Sequence, residues 1–236
     1  MKKKKLNRIL LAGPSGVGKT TVANFIAELG YNFISGSVSD LLPQTKEMTH
    51  SEMLARDSHE LYMEDFQILS LRNRLFSKEE EPFVSDRSFL DSAAYFIYKQ
   101  ADKIPSCEIE HFLELAKMAL VKTCDCLIFF KYSNDMFDNW VIEDNSKRVT
   151  NKYFQMEISN LMEMVLGIWG IDIYRKIPSI KEVGDHWFNY RLIDLKEEIS
   201  IGTISSLYGN TKVLIIPEAN QRNREIIIEK SLNGKL

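Results

Sequence analysis

The sequence predicts an α/β fold in three layers: a parallel sheet of about five strands with helices on both faces. Two observations carry this. Short apolar runs of strand length alternate with longer helical patterns along the chain, and such alternation builds a parallel sheet through crossover helices. One run, Val213-Leu214-Ile215-Ile216, is continuously apolar, as a strand covered on both faces requires. The 236 residues, 44% of them hydrophobic, suffice for one domain with a sizeable core, or one domain with a modest insertion.

The elements follow in order. Arg8 to Ala12 reads as the first strand and runs directly into a Gly-rich loop, after which a helix starts near Lys19. That helix carries Val22, Phe25, Ile26 and Leu29 on one face and stops at Gly30. A second strand is expected at Asn32 to Ser35, then a polar Gly/Ser segment, then a long helix from about Thr49 to Ser77. Thr49 and Glu52 have the spacing of a capping box. Leu54, Leu61, Ile68 and Leu75 recur every seven residues and form one narrow buried stripe, with Asp65 and Arg72 inside it. A third strand is expected at Pro82 to Ser85, with Asp86-Arg87 at its carboxyl end. Helices from Ser88 to about Ala101 and from Ser106 to Lys122 precede a fourth strand, Asp125 to Lys131. A polar segment, 139–150, leads to an apolar helix from about Asn151 to Trp169.

Two segments compete for the fifth strand. Lys212 to Ile216 is the better candidate, because Ile171, Ile173 and Ile177 are interrupted by Asp172 and Arg175. Residues 178–211 then form an insertion, and Arg222 to Leu232 reads as the closing helix.

Composition narrows the function classes. Lys plus Arg number 30 against 33 Asp plus Glu, a net charge of −3, which gives nucleic-acid binding no global support. The Lys2 to Lys5 run precedes an apolar stretch too short for a signal peptide or a membrane span, so a cytoplasmic protein without a membrane partner is expected. Cys107, Cys124 and Cys126 make an odd count that fits a reducing compartment; Cys124 and Cys126 read as packing residues that could share a strand face. His50, His59, His111 and His186 are scattered without metal-ligand spacing.

Gly13-Pro14-Ser15-Gly16-Val17-Gly18-Lys19-Thr20 satisfies the pattern G-x-x-x-x-G-K-S/T between a strand and a helix. Backbone N–H groups of such a loop, together with the helix N-terminus, cradle phosphate oxygens. Gly13, Ser15, Gly16, Val17, Gly18, Lys19, Thr20 and Thr21 are therefore the candidate nucleotide-binding residues. Lys19 would reach the β- and γ-phosphates of ATP, and the Thr20 hydroxyl would hold Mg2+. A GTPase should carry N-K-x-D, and Asn151-Lys152-Tyr153-Phe154 lacks the aspartate. A motor of the AAA type should end a strand in paired acids, whereas Lys131 follows Leu127-Ile128-Phe129-Phe130.

Ser85-Asp86-Arg87-Ser88, followed by Phe89-Leu90-Asp91-Ser92-Ala93-Ala94-Tyr95, resembles the nucleoside and nucleotide kinase group of P-loop proteins. Thymidylate kinases carry a D-R pair at this position and deoxynucleoside kinases an E-R-S triplet. The resemblance covers about residues 6–170 and implies a three-layer P-loop NTPase fold, read as one kinase domain over 1–236. It assigns Asp86 to Mg2+ or the acceptor and Arg87 to phosphate oxygens. It further implies a lid at 139–150, with Arg148 as its catalytic arginine and Lys147 as a weaker partner. Asp40, beyond strand two, would be an acceptor-side carboxylate.

Arg72, on the apolar stripe, must pair with an acid such as Asp65 or face a ligand. The cluster His186-Trp187-Phe188-Asn189-Tyr190-Arg191 is either a base-stacking surface or packing.

The expected activity is transfer of the ATP γ-phosphate to a nucleoside or nucleotide, with the D-R pair favouring a (deoxy)nucleoside monophosphate. A hydroxyl acceptor, on a nucleoside or a modified base in DNA, is the alternative within the class. A P-loop ATPase or switch module docking a partner on 178–211 is the alternative outside it. A homodimer stays open.

Overall fold

The computed structural model describes residues 6–45, 52, 56–132, 151–178, 198–207, 209–217 and 221–233. The strands are β1 (Arg8–Ala12), β2 (Asn32–Ile34), β3 (Phe83–Ser85), β4 (Cys126–Phe130), β5 (Asp172–Pro178), β6 (Glu198–Ser206) and β7 (Gly209–Ile216). The α-helices are α1 (Lys19–Glu28), α2 (Val38–Leu41), α3 (Ser58–Lys78), α4 (Phe89–Gln100), α5 (Ser106–Thr123), α6 (Lys152–Ile168) and α7 (Gln221–Leu232).

One sheet runs in the order β2-β3-β1-β4-β7-β6-β5. The first five of these are parallel, as the alternating pattern requires. The last two are antiparallel additions, which makes seven strands among the described residues rather than about five. β7 is the fifth parallel strand, beside β4, whereas the interrupted Asp172–Pro178 run forms the outermost strand. Part of the expected insertion is therefore sheet: β6 pairs antiparallel with β7 and carries β5 on its far side. Its aromatic cluster at 186–191 lies outside the described residues.

Both faces of the sheet are covered, because strand residues alternate between two cores. Leu10, Leu127, Phe129, Val213 and Ile204 pack with α3, α4, α5 and α6. Ile9, Leu11, Ile128, Phe130, Leu214 and Ile216 pack with α1 and α7. Cys124 and Cys126 fall in opposite cores rather than on one face, since Cys124 still caps α5 and the strand begins only at Cys126. Leu29, expected on the buried face of α1, is the C-cap and is exposed.

The long helix also departs from expectation. α3 begins at Ser58, where Asp57 accepts hydrogen bonds from the His59 and Glu60 N–H groups; Thr49 lies outside the described residues. Its stripe is buried at Leu61, Asp65, Ile68 and Arg72. Among the described residues no helix is long and apolar enough to cross a membrane.

Candidate active site

Parallel neighbours present their carboxyl ends at the same edge, which is where sheets of this kind bind ligands. In register, Leu10 faces Ser85 and Ile34 faces Ser85 from the other side. The phosphate loop after β1, Asp86-Arg87 after β3 and the Ser35-to-Asp40 segment after β2 therefore converge.

The loop is shaped by glycine at two places. Gly18 adopts φ 79° and ψ 21° as the N-cap of α1, a left-handed conformation that side chains disfavour. At Gly13 a Cβ would lie 2.9 Å from the Phe130 carbonyl oxygen, because β4 passes directly behind the loop. Lys19 is buried, its ammonium donating to the carbonyls of Gly13 at 2.6 Å and Pro14 at 2.7 Å. Val17 is buried, while Thr20 and Thr21 at the start of α1 are exposed and Ser15 is half-buried.

Thr20 and Asp86, 66 residues apart, meet here: the Thr20 hydroxyl donates to Asp86 Oδ2 at 2.8 Å. Asp86 Oδ1 is buried and has no hydrogen-bond partner among the described residues. A carboxylate oxygen left without a donor beside a threonine hydroxyl is an oxygen donor set, and it fits a hard divalent cation such as Mg2+.

Behind this pair, Ser88 caps α4 in a reciprocal box with Asp91: Ser88 N–H and Oγ donate to Asp91 Oδ2 at 3.0 and 2.6 Å. Asp91 is buried, and its Oδ1 lies 3.8 Å from the Arg87 guanidinium, which is itself partly exposed. Burial pushes the nearby Tyr95 phenol up to about 12, with Arg87 and Asp91 acting in opposite directions.

Arg72 is fully enclosed. Its guanidinium donates to the Gly36 carbonyl at 2.6 Å, the Ser88 carbonyl at 3.0 Å and the Ser92 hydroxyl at 2.5 Å. It thus ties α3 to the segment after β2 and to the start of α4. Burial lowers it from 12.5 to about 10, against the pull of Asp91, Asp86 and Asp65. Asp65, the acid expected to pair with it, is bonded instead to Lys99.

Gly36 has no room for a side chain: a Cβ would sit 3.0 Å from Ser85 Oγ and 3.1 Å from Arg87 Cβ. Asp40 is exposed, its carboxylate accepting from the hydroxyls of Ser35 and Ser37, the latter at 2.6 Å. Arg148, Lys147 and the whole 139–150 segment lie outside the described residues.

Three residues at the site were not singled out from sequence. Asp91 carried a readable signal, the Ser-x-x-Asp spacing of a capping box. Gln155, buried in the first turn of α6, lies against the loop, its Nε2 3.3 Å from where a Gly16 Cβ would be. Arg224 of α7 donates to the Val17 carbonyl. Neither of these has a local signal, since each meets the loop only through the tertiary fold.

Comparison with known proteins places the chain in a family. No curated protein sequence matches the chain. Deoxyadenosine kinase from M. mycoides with bound dCTP aligns at TM-score 0.57 with 10% identity, covering 96% of this chain and 98% of that one. The same enzyme with dCMP and a flexible dCDP bound aligns at TM-score 0.57 and 10% identity, over 97% and 99%. At that identity the likeness is one of fold, and it confirms the three-layer P-loop kinase architecture. The profile described as AAA domain matches residues 8–176, from β1 through the phosphate loop to β5. Lys131, paired with Glu163 at 3.0 Å, still stands where a motor of that type would carry acids. The chain belongs to the AAA domain family, built on the P-loop nucleoside and nucleotide kinase fold.

Proposed function

We propose that the protein is a Mg2+-dependent kinase that moves the γ-phosphate of ATP to a nucleoside or nucleotide, with a (deoxy)nucleoside monophosphate as the favoured acceptor. The junction of Thr20 with Asp86 carries this reading, because it joins the phosphate loop to the strand end that also bears Arg87. Phosphoryl transfer demands positioning and charge compensation more than covalent chemistry by the protein. The loop N–H groups and Lys19 hold the β- and γ-phosphates. Thr20 and Asp86 hold the Mg2+, which when bound neutralises charge on the phosphate oxygens.

Arg87, the residue that follows Asp86, offers a planar fork to the oxygens of the transferred group or of an acceptor phosphate. Arg72 holds the acceptor wall, joining Gly36 to α4, and from its enclosed place near Asp86 and Arg87 it would act on the acceptor by positioning that wall. Arg148, with Lys147, would close from the 139–150 segment and exclude water from the transfer.

A hydroxyl acceptor is the second reading. It is favoured by the fold shared with deoxyadenosine kinase and by Asp40, an exposed carboxylate at the end of the β2 segment. In that case Asp40 or Asp86 takes the hydroxyl proton.

Incubation with γ-labelled ATP and separate panels of nucleosides, nucleoside monophosphates and DNA tests the proposal. Label on a monophosphate is the expected result, and label on a nucleoside or on DNA selects the hydroxyl reading. Label released only as inorganic phosphate in every panel refutes the kinase assignment in favour of an ATPase or switch.

A further inference from the structure

The C-terminal helix α7 carries a charge in an unusual place. Arg224 is 0% exposed, among the largest fully buried side chains of the protein. Ile227 and Ile228, on the same helix, are buried with Val17, Val22, Ala23, Ile26 and Phe130, so packing alone would favour an apolar residue at 224. A buried guanidinium is retained at a cost unless it is satisfied. Here its Nη1 donates to the Val17 carbonyl at 2.5 Å, and the guanidinium carbon stands 4.8 Å over the Phe130 ring. These two contacts are with the phosphate loop and the strand behind it, 207 residues away in sequence for Val17.

The peptide between Val17 and Gly18 is planar and trans, so its carbonyl and its N–H point in opposite directions. Fixing the Val17 oxygen toward α7 therefore turns the Gly18 N–H the other way, toward the inside of the loop. Rotation of this peptide turns ψ of Val17 and φ of Gly18 together, and at Gly18 no side chain resists it.

We propose that Arg224 is a positioning residue for the nucleotide: its bond to Val17 holds the Gly18 N–H as a fixed phosphate donor, and its buried positive charge backs the anion cradle. The inference rests on nucleotide binding at the loop and not on what accepts the phosphate.

The test is titration of the full chain with a methylanthraniloyl-labelled ATP in the presence of Mg2+, read by fluorescence, with a thermal melt of each variant. Arg224→Met should bind about tenfold or more weakly, the loss of one charge-assisted donor. Arg224→Lys keeps a charge and a donor, and should stay within about threefold of wild type. Ile228→Ala, which loosens the same helix but keeps the Arg224 donor to the Val17 carbonyl, should lower the melting temperature and leave the affinity unchanged.

Arg224→Met binding as tightly as wild type overturns the proposal, as does Ile228→Ala weakening binding to the same extent. Should Arg224→Met not fold, Arg224→Lys decides alone: a folded lysine variant that has lost binding overturns it. A wild-type protein that does not bind the probe refutes the phosphate-loop reading itself, a result distinguishable from all of these.

Discussion

Replacing Arg72 by methionine tests how the acceptor side of the site is held. Arg72 is 2% exposed, and its lowering from 12.5 to about 10 means that burial disfavours its cation by about 3 kcal/mol, at ~1.4 kcal/mol per pKa unit. Methionine relieves that penalty while keeping most of the apolar stem. It also leaves the buried Gly36 and Ser88 carbonyls without their donor, at about 1–3 kcal/mol each, and the half-buried Ser92 hydroxyl, which costs less because it can turn to another partner. At about 2 kcal/mol for each carbonyl and about 1 for the hydroxyl, the losses exceed the relief by about 2 kcal/mol, which for a chain of this size lowers the melting temperature by roughly 4–8 °C. Circular dichroism melts and urea titrations of the two proteins measure the difference. Arg72→Lys should fall further, since it keeps the buried charge and reaches fewer of the three acceptors. An Arg72→Met variant as stable as wild type would show that the guanidinium does not hold Gly36 to α4, and the account of the acceptor wall would be wrong.

Three further outcomes follow from the geometry. Lys19→Ala should abolish phosphate transfer while keeping a cooperative melt, because it removes the loop's ammonium and little core volume; unchanged turnover refutes the role of the loop. At Asp125, burial pushes the carboxyl up, but the Arg8 guanidinium and the Asn7 and Arg8 N–H groups outweigh it and hold it below 3.8. The folded chain then binds fewer protons there than the unfolded one, so this stability is fully present above the unfolded value and lost as pH falls through the folded one. The stability gap between wild type and Asp125→Asn in urea should be open at about pH 7 and close below about pH 4; a gap independent of pH contradicts it. Iodoacetamide should label Cys107 alone in the native protein, since Cys124 and Cys126 are buried and burial pushes the Cys126 thiol up to about 12. Native labelling of either buried thiol, read by mass spectrometry, counts against the two-core packing.

Local chemistry was legible in the residues. β1, the loop Gly13 to Thr20 and the start of α1 are contiguous, so one motif specified both the turn and its chemistry. The β7 run declared its burial on both faces because four successive apolar residues leave no polar side. The loop motif assigned Thr20 to Mg2+ and the resemblance assigned Asp86 to Mg2+ or the acceptor; their contact at 2.8 Å is supplied by the fold.

Partners chosen by the tertiary fold were not legible. The stripe on α3 showed that Arg72 is buried, yet an acid was sought where two backbone carbonyls and a serine answer the charge, since any residue supplies a carbonyl. The antiparallel β5–β6 extension depends on edge pairing next to β7, which hydrophobic periodicity does not report. Gln155 and Arg224 reach the phosphate loop only because the sheet order sets α6 and α7 beside it. Sequence thus determined the buried stripes and strands and which loop carries the phosphate-binding pattern, through local spacing and period. The three-dimensional packing alone decided which distant groups satisfy the buried charges, because that choice is made by strand register and helix placement across the whole chain.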